Sequence, residues 1–312
     1  MDSQTAQFRA QGPQPSPVVL MLFLMMFCIG GLLIGQFVMY IIGQAFGIDL
    51  TQMGTLYDDP ANRVPLLLSQ LGYSVLLFIV APYIFLRYFD ADLLTGKVVG
   101  NHGVPLNLVL LSAFILFAFF PASGYFVGLN KGMALPESMA GFEQTLQNLE
   151  ATAAELTNFI VSFDSTGEFL LGLLVIAVIP AIGEEFLFRG ILQTYFGRMF
   201  KNVHLAIWVT AFIFSAFHLQ FYGLLPRMLL GALFGYLFAY SGRLIYAMIA
   251  HFINNGFTLL LVYLYQKGTI STNIEETEAL PFYVAAISMA VVIVLLIRFK
   301  KDATASLMKE EQ

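Results

Sequence analysis

Two adjacent glutamates and an arginine stand in the stretch Gly183-Glu184-Glu185-Phe186-Leu187-Phe188-Arg189-Gly190, directly after residues 169–182, which carry no charge. An ionisable group at the centre of a membrane helix costs at least ~2.5–3.5 kcal/mol, so its presence there points to function. On a helix, Glu185 and Arg189 are i and i+4. They share a face in the favourable order, acid first, and can neutralise each other. Glu184 lies about 100° around the helix and has no cation on its own helix. A carboxylate without a counter-ion is free to take a proton from water. Glu184 is therefore the candidate base, with Glu185 and Arg189 as its support. The competing reading is that all three only bind helices together. Pro180, four residues upstream, frees a backbone carbonyl and allows a kink.

Three further polar residues stand in similarly apolar surroundings. His218 closes Phe214-Ser215-Ala216-Phe217-His218, and His251-Phe252-Ile253-Asn254-Asn255 follows. A lone buried histidine is more often a packing residue than a ligand, so His218 gains weight only from its companions. His251 and Asn255, i and i+4, can offer two donors to one oxygen, as stabilising a tetrahedral oxyanion requires. Asn254 points elsewhere and reads as structural, and His102 and His204 read as surface groups near membrane edges. Two routes to an activated water are open. Glu184 and His218 can act on it directly, or Glu184, His218 and His251 can hold a zinc ion that lowers its pKa to about 7. The cofactor is thus none or Zn2+. The H-E-x-x-H helix of many zinc proteases is absent, and no two of these histidines share a helical turn, which favours the metal-free route.

The elements that carry these residues are apolar. The 312-residue chain is 58% hydrophobic and 11% charged, with a mean hydropathy of +0.78, whereas a soluble domain carries about 25% charged residues. The composition specifies an all-α polytopic membrane protein with a polar intramembrane cavity. A net charge of −5 does not suggest nucleic acid. The single cysteine, Cys28, excludes a disulfide within the monomer and reads as a packing residue. Stretches long enough to span recur at about 18–43, 64–86, 104–126, 169–192, 203–221, 225–241, 243–265 and 281–299. That makes about eight transmembrane helices, with the sixth short enough to leave seven. The first reads as a retained helix rather than a cleaved signal. Four regions follow: a polar tail over 1–17, helices and a polar loop over 18–160, a catalytic helical core over 161–265, and a last helix with a basic tail over 266–312.

With the N-terminus in the cytoplasm, ten of the fifteen Lys and Arg residues fall on inner segments. Arg63, Lys131, Arg227 and Lys267 fall on outer ones, and Arg189 belongs to the motif. This agrees with the positive-inside rule and with two cytoplasmic ends. The acidic segment 127–168 then faces out. Within it Leu146, Leu149, Ala153, Leu156 and Ile160 recur at helical steps and predict an amphipathic helix, read as a solvated connector before a lid. Gly231, Gly235 and Ala239 form a small-residue stripe for close helix packing.

Glu184-Glu185-xxx-Arg189, Phe214-xxx-His218 and His251-xxx-Asn255 together resemble the three motifs of the CPBP family, which includes the type II CAAX prenyl endopeptidases and bacteriocin-resistance proteins. The resemblance covers about residues 165–265. Each motif is short, but three in order on successive apolar spans are specific. The resemblance implies an intramembrane endopeptidase in which Glu184 and His218 activate water and His251 with Asn255 stabilise the oxyanion. It also brings the suggestion of a metalloprotease. One departure is Ser241-Gly242-Arg243, where many members have Thr-Gly-(Asn/Ser). The expected partners are a peptide or membrane-protein substrate and the lipid bilayer, in the inner membrane of a bacterium. The alternatives are a non-proteolytic scaffold or bacteriocin-immunity protein of the same fold and, with less support because no paired halves are visible, a proton-coupled transporter.

One conflict stands in these boundaries. At ~1.5 Å per residue, Glu184 lies ~22 Å from the outer end of its span and His218 ~22 Å from the inner end of its own. Tilt, a kink at Pro180 or an interfacial segment around 190–203 must bring them level.

Overall fold

The computed structural model describes residues 15–48, 56–94, 103–271 and 280–310. His102, Arg9 and Lys97 lie outside these residues, as does most of the polar tail. Among the described residues every regular element is helical. The long ones are α1 (Pro17–Ala45), α2 (Pro60–Phe89), α3 (Leu106–Lys131), α4 (Ala140–Ile160), α5 (Thr166–Phe200), α6 (Val203–Ala216), α7 (Leu224–Ser241), α8 (Leu244–Gln266) and α9 (Phe282–Glu310). Among the described residues, seven helices are long and apolar enough to cross a membrane. The short apolar one is α6, the fifth expected span rather than the sixth. Its 14 residues rise only ~21 Å against a hydrocarbon core of ~30 Å. The protein is an all-α integral membrane protein, and α4 is the predicted amphipathic helix.

α1 begins at Pro17, with Ser16 capping the amide of Val19. It carries exposed Leu22, Met26, Ile29, Leu33 and Phe37, a surface suited to lipid. Its inner face closes on α2 through glycines. A Cβ on Gly31 would lie 2.9 Å from the Ala81 Cβ, and one on Gly35 3.0 Å from the Tyr73 ring.

The depth conflict resolves at the turn after α5. Residues 190–200 form no separate element. The helix runs on to Phe200 and reverses at Lys201, which takes left-handed φ of 53°. Asn202 then caps the amides of His204 and Leu205 to start α6. Glu185 is sixteen residues before Lys201 and His218 seventeen after it, so an antiparallel hairpin sets them level. α5 is also uneven. Wide π-helical turns over Leu173–Val178 and Phe186–Gln193 flank the segment Ile179–Glu185.

α5 and α7 run parallel and in register. Gln193 Nε2 donates to Gly235 O at 3.0 Å and Arg189 Nη2 to Gly231 O at 2.9 Å, both offsets of 42 residues. The small-residue stripe permits this. A Cβ on Gly235 would meet Gln193 Oε1 at 2.7 Å and Ile207 Cγ2 at 2.9 Å.

Candidate active site

Glu185 and Arg189 are both fully buried. Arg189 Nη1 donates to Glu185 Oε1 at 2.7 Å, as the i, i+4 spacing predicts. The rest of the guanidinium is placed by its neighbours. Nη2 reaches the Gly231 carbonyl, and the group lies 4.4 Å from the centroid of the Phe214 ring and 5.5 Å from that of Phe234. Glu185 Oε1 also lies 2.8 Å from His251 Nδ1, a contact between the first and third motifs that spacing alone does not predict. His251 stacks on Phe234 with ring centroids 5.1 Å apart. Its other nitrogen, Nε2, faces Glu184 Oε2 at 4.0 Å.

Glu184 differs from its neighbour. Its side chain is 13% exposed, against 0% for Glu185, and among the described residues it makes no hydrogen bond. The expectation of a carboxylate without an in-helix cation therefore holds. His251 sits between the two acids, anchored by one and turned towards the other.

His218 lies in the turn that ends α6, ahead of Leu219 with φ 55°. Its Nδ1 is 2.9 Å from the Phe214 carbonyl, so that nitrogen carries the proton and Nε2 keeps its lone pair. The Phe214 ring stands 5.2 Å from the His218 ring and 6.1 Å from that of His251. One aromatic side chain thus walls Arg189, His218 and His251 together, which accounts for a phenylalanine at the head of the second motif.

Asn255 Nδ2 donates to the carbonyl of Ile176 at 3.0 Å. Ile176 is four residues before Pro180, the carbonyl that a proline leaves without its helical partner. The free acceptor expected from Pro180 is the one that Asn255 takes, which ties α8 to α5. Asn254 Nδ2 donates to Asn255 Oδ1 at 3.0 Å and fixes the amide. Asn255 retains one N–H. His204 is exposed, with Nδ1 3.0 Å from the Tyr236 hydroxyl, away from these residues. Ser241, at the variant turn, bonds Leu237 O and Arg243 N, and Gly242 closes the helix at φ 68°.

Glu184, Glu185, Arg189, His218, His251 and Asn255 therefore belong to one cluster. It is packed by direct contacts, and apolar cavities of about 610 Å³, between α3 and α8, and about 510 Å³, beside Trp208 and Met289, lie next to the helices that carry it. Spacing missed the second partner of Glu185, the ring wall of Phe214 and Phe234, and the Gln193 bond to α7. Of these only Gln193, a lone amide in an apolar run, leaves a trace in the sequence.

The zinc alternative can be tested on the donors. Among the described residues, no three His, Cys, Asp or Glu side chains gather around a point where one ion could be held. Of the candidates Glu184, His218 and His251, both histidines are held at Nδ1 and keep Nε2 available, but the three do not gather closely enough to hold one ion as placed.

Residues 166–257 match the family model described as "Type II CAAX prenyl endopeptidase Rce1-like". The matched segment holds all three motifs and supports the resemblance to the CPBP proteases. No curated protein and no solved structure matches the chain.

Proposed function

Proceeding from an Rce1-like, CPBP-type core over residues 166–257, we propose that this protein is an intramembrane endopeptidase that hydrolyses peptide bonds with a water activated by Glu184 and His218. The observation that carries the reading is the contrast between the two glutamates. Glu185 is fully buried and engaged at Oε1 by both Arg189 and His251, while its Oε2 is buried without a partner among the described residues. Glu184 is level with His218, partly exposed, and keeps its acceptors free.

The chemistry follows from these positions. Water binds between Glu184 and His218 Nε2, whose lone pair the bond to Phe214 O leaves free. Glu184 accepts a proton from the water, and the oxygen attacks the scissile carbonyl. His251, positioned by the Glu185 carboxylate at Nδ1, donates from Nε2 to the oxyanion. The second N–H of Asn255 is the other donor. Glu184 then passes its proton to the leaving amine as the C–N bond breaks. A buried carboxylate behind a histidine fixes its orientation and stabilises its charged form, as in other acid–histidine pairs. The substrate is a peptide or membrane protein, and the setting is the inner membrane of a bacterium with both chain ends in the cytoplasm.

The test is Glu184→Gln, which preserves shape and removes the base. The expected outcome is loss of peptide cleavage by at least about two orders of magnitude, the usual size of a general-base contribution, with unchanged membrane insertion and melting temperature. Wild-type cleavage rates in the Gln variant would remove Glu184 from the mechanism.

A further inference from the structure

The structure assigns a recognition role to Arg227: it holds a carboxylate of the bound peptide beside the cleavage site. This rests on the endopeptidase reading above and names a feature of its substrate.

Register places Arg227 first. The two α5–α7 hydrogen bonds, Arg189 to Gly231 and Gln193 to Gly235, share one offset. Continued one turn towards the start of α7, the same offset pairs Arg227 with Glu185. Arg227, Gly231 and Gly235 occupy one face, the face turned to the motif helix.

Its own bonding is incomplete. Nη2 donates to Gln220 Oε1 at 2.7 Å, and Gln220 is two residues after His218. The group packs over Gly223, where an added Cβ would meet Nη2 at 3.0 Å. Nη1 is buried and has no hydrogen-bond partner among the described residues. Among the described residues no carboxylate lies within ion-pair distance of it. Arg227 is only partly buried, but a buried Nη1 without a partner is costly, and the group is fastened to the turn that bears His218 by its bond to Gln220. The nearby start of α7 adds positive potential. An arginine fork presented this way suits a carboxylate, which it can bind with two parallel hydrogen bonds. The carboxylate is either the free C-terminus of a peptide cut near its end or an acidic side chain near the scissile bond.

The test uses full-length Glu184→Gln protein and a library of short hydrophobic peptides. The library is made as free acids and as C-terminal amides, each with and without one internal Asp. Retention of peptides carrying a carboxylate should exceed that of uncharged ones by about tenfold, the ratio expected for one charged hydrogen-bonded contact. Preference for free acids without Asp identifies the chain end, and rescue of the amide pool by Asp identifies the side chain. Adding Arg227→Gln should abolish the preference, and adding Arg227→Lys, which keeps the charge without the fork, should retain part of it. Equal retention of all pools, no retention of any, or a preference that survives Arg227→Gln would overturn the assignment. Wild-type protein given the same pools separates the two readings. No cleavage with carboxylate-dependent retention sinks the peptidase and leaves Arg227 standing. Cleavage without that dependence sinks Arg227 alone.

Discussion

Glu184 and Glu185 are neighbours in the chain and opposites in surroundings. A helix turns about 100° per residue, which is enough to aim Glu185 at Arg189 and His251 and Glu184 at the partly open side of the cluster. Because Glu185 and Arg189 are fully buried, they depend on each other. Breaking a buried pair by removing one partner typically costs ~3–5 kcal/mol, since the other charge is stranded. Arg189→Ala should therefore lower the melting temperature as well as activity, and it also removes the bond to the Gly231 carbonyl. A variant as stable as wild type by thermal unfolding would show that the pair contributes nothing. Glu184→Gln, with no bond to lose, should leave stability untouched. The donor arrangement makes a further prediction: purified protein should hold no stoichiometric zinc by elemental analysis, and zinc should not specifically restore activity after chelation. One tightly bound zinc per chain, lost together with activity in His218→Ala, would reverse this.

The site depends on two relations between elements, the α5–α6 hairpin that levels Glu185 with His218 and the parallel register of α5 with α7. The second relies on glycine. In Gly235→Ala the new methyl would sit 2.7 Å from Gln193 Oε1 and 2.9 Å from Ile207, so both side chains must shift and the Gln193 bond to the Gly235 carbonyl is strained. Overpacking of this kind costs ~1–3 kcal/mol. The expected result is a lower melting temperature and reduced peptidase activity, because the same register sets Arg189 on Gly231. Unchanged stability would mean that the helices are looser than their hydrogen bonds imply. Much of this was legible in the sequence. The i, i+4 pair, the stripe Gly231-Gly235-Ala239, the carbonyl freed by Pro180 and the charge-starved spans all follow from local spacing. What was not legible depends on where elements stop and meet. A left-handed Lys201 carries no glycine signal, so α5 looked finished before 194. Glu185 looked content with Arg189 because His251 arrives 66 residues later. Arg227 counted only as a loop charge, since nothing local says which residues a short helix after an embedded turn will face.

At the scale of the molecule, contacts sort the start of α1 and the end of α9 to one face. Phe23 near the start of α1 packs on Phe89 at 5.1 Å, Asp90 pairs with Arg198 at 2.6 Å, and Arg243 bonds the Gly103 carbonyl. α9 runs antiparallel to α3, from Phe282 against Tyr125 to Phe299 against Tyr246. Ser16 and the basic run Arg298, Lys300 and Lys301 therefore lie at the end of the bundle opposite Lys131. At that opposite end, Asn130 bonds Phe221 O and Leu225 N, pinning the His218 turn beside the close of α3. α8 continues from Asn255 to Gln266, about 16 Å further at 1.5 Å per residue, so the cluster lies below a step in the helix ends. α4 covers the turn from this side. Glu150 accepts from the Tyr222 amide at 3.0 Å, and the Tyr222 hydroxyl lies 3.3 Å from Glu143. A bare connector would not need those bonds, and the base of α4 is fastened as well, with Arg63 on Asp164 and Glu168 at 2.7 and 2.6 Å. On the orientation proposed above, with the end bearing Ser16 and Lys300 in the cytoplasm as the positive-inside rule favours, α4 and the mouth of the site face outward. Single cysteines in a Cys28→Ser background test this. Thr152→Cys on α4 should react with an impermeant maleimide added to intact cells, and Ala305→Cys on α9 should react only after lysis. The reverse pattern would invert the protein in the membrane. Labelling of both from one side would break the arrangement that puts α4 on the face opposite the start of α1 and the end of α9.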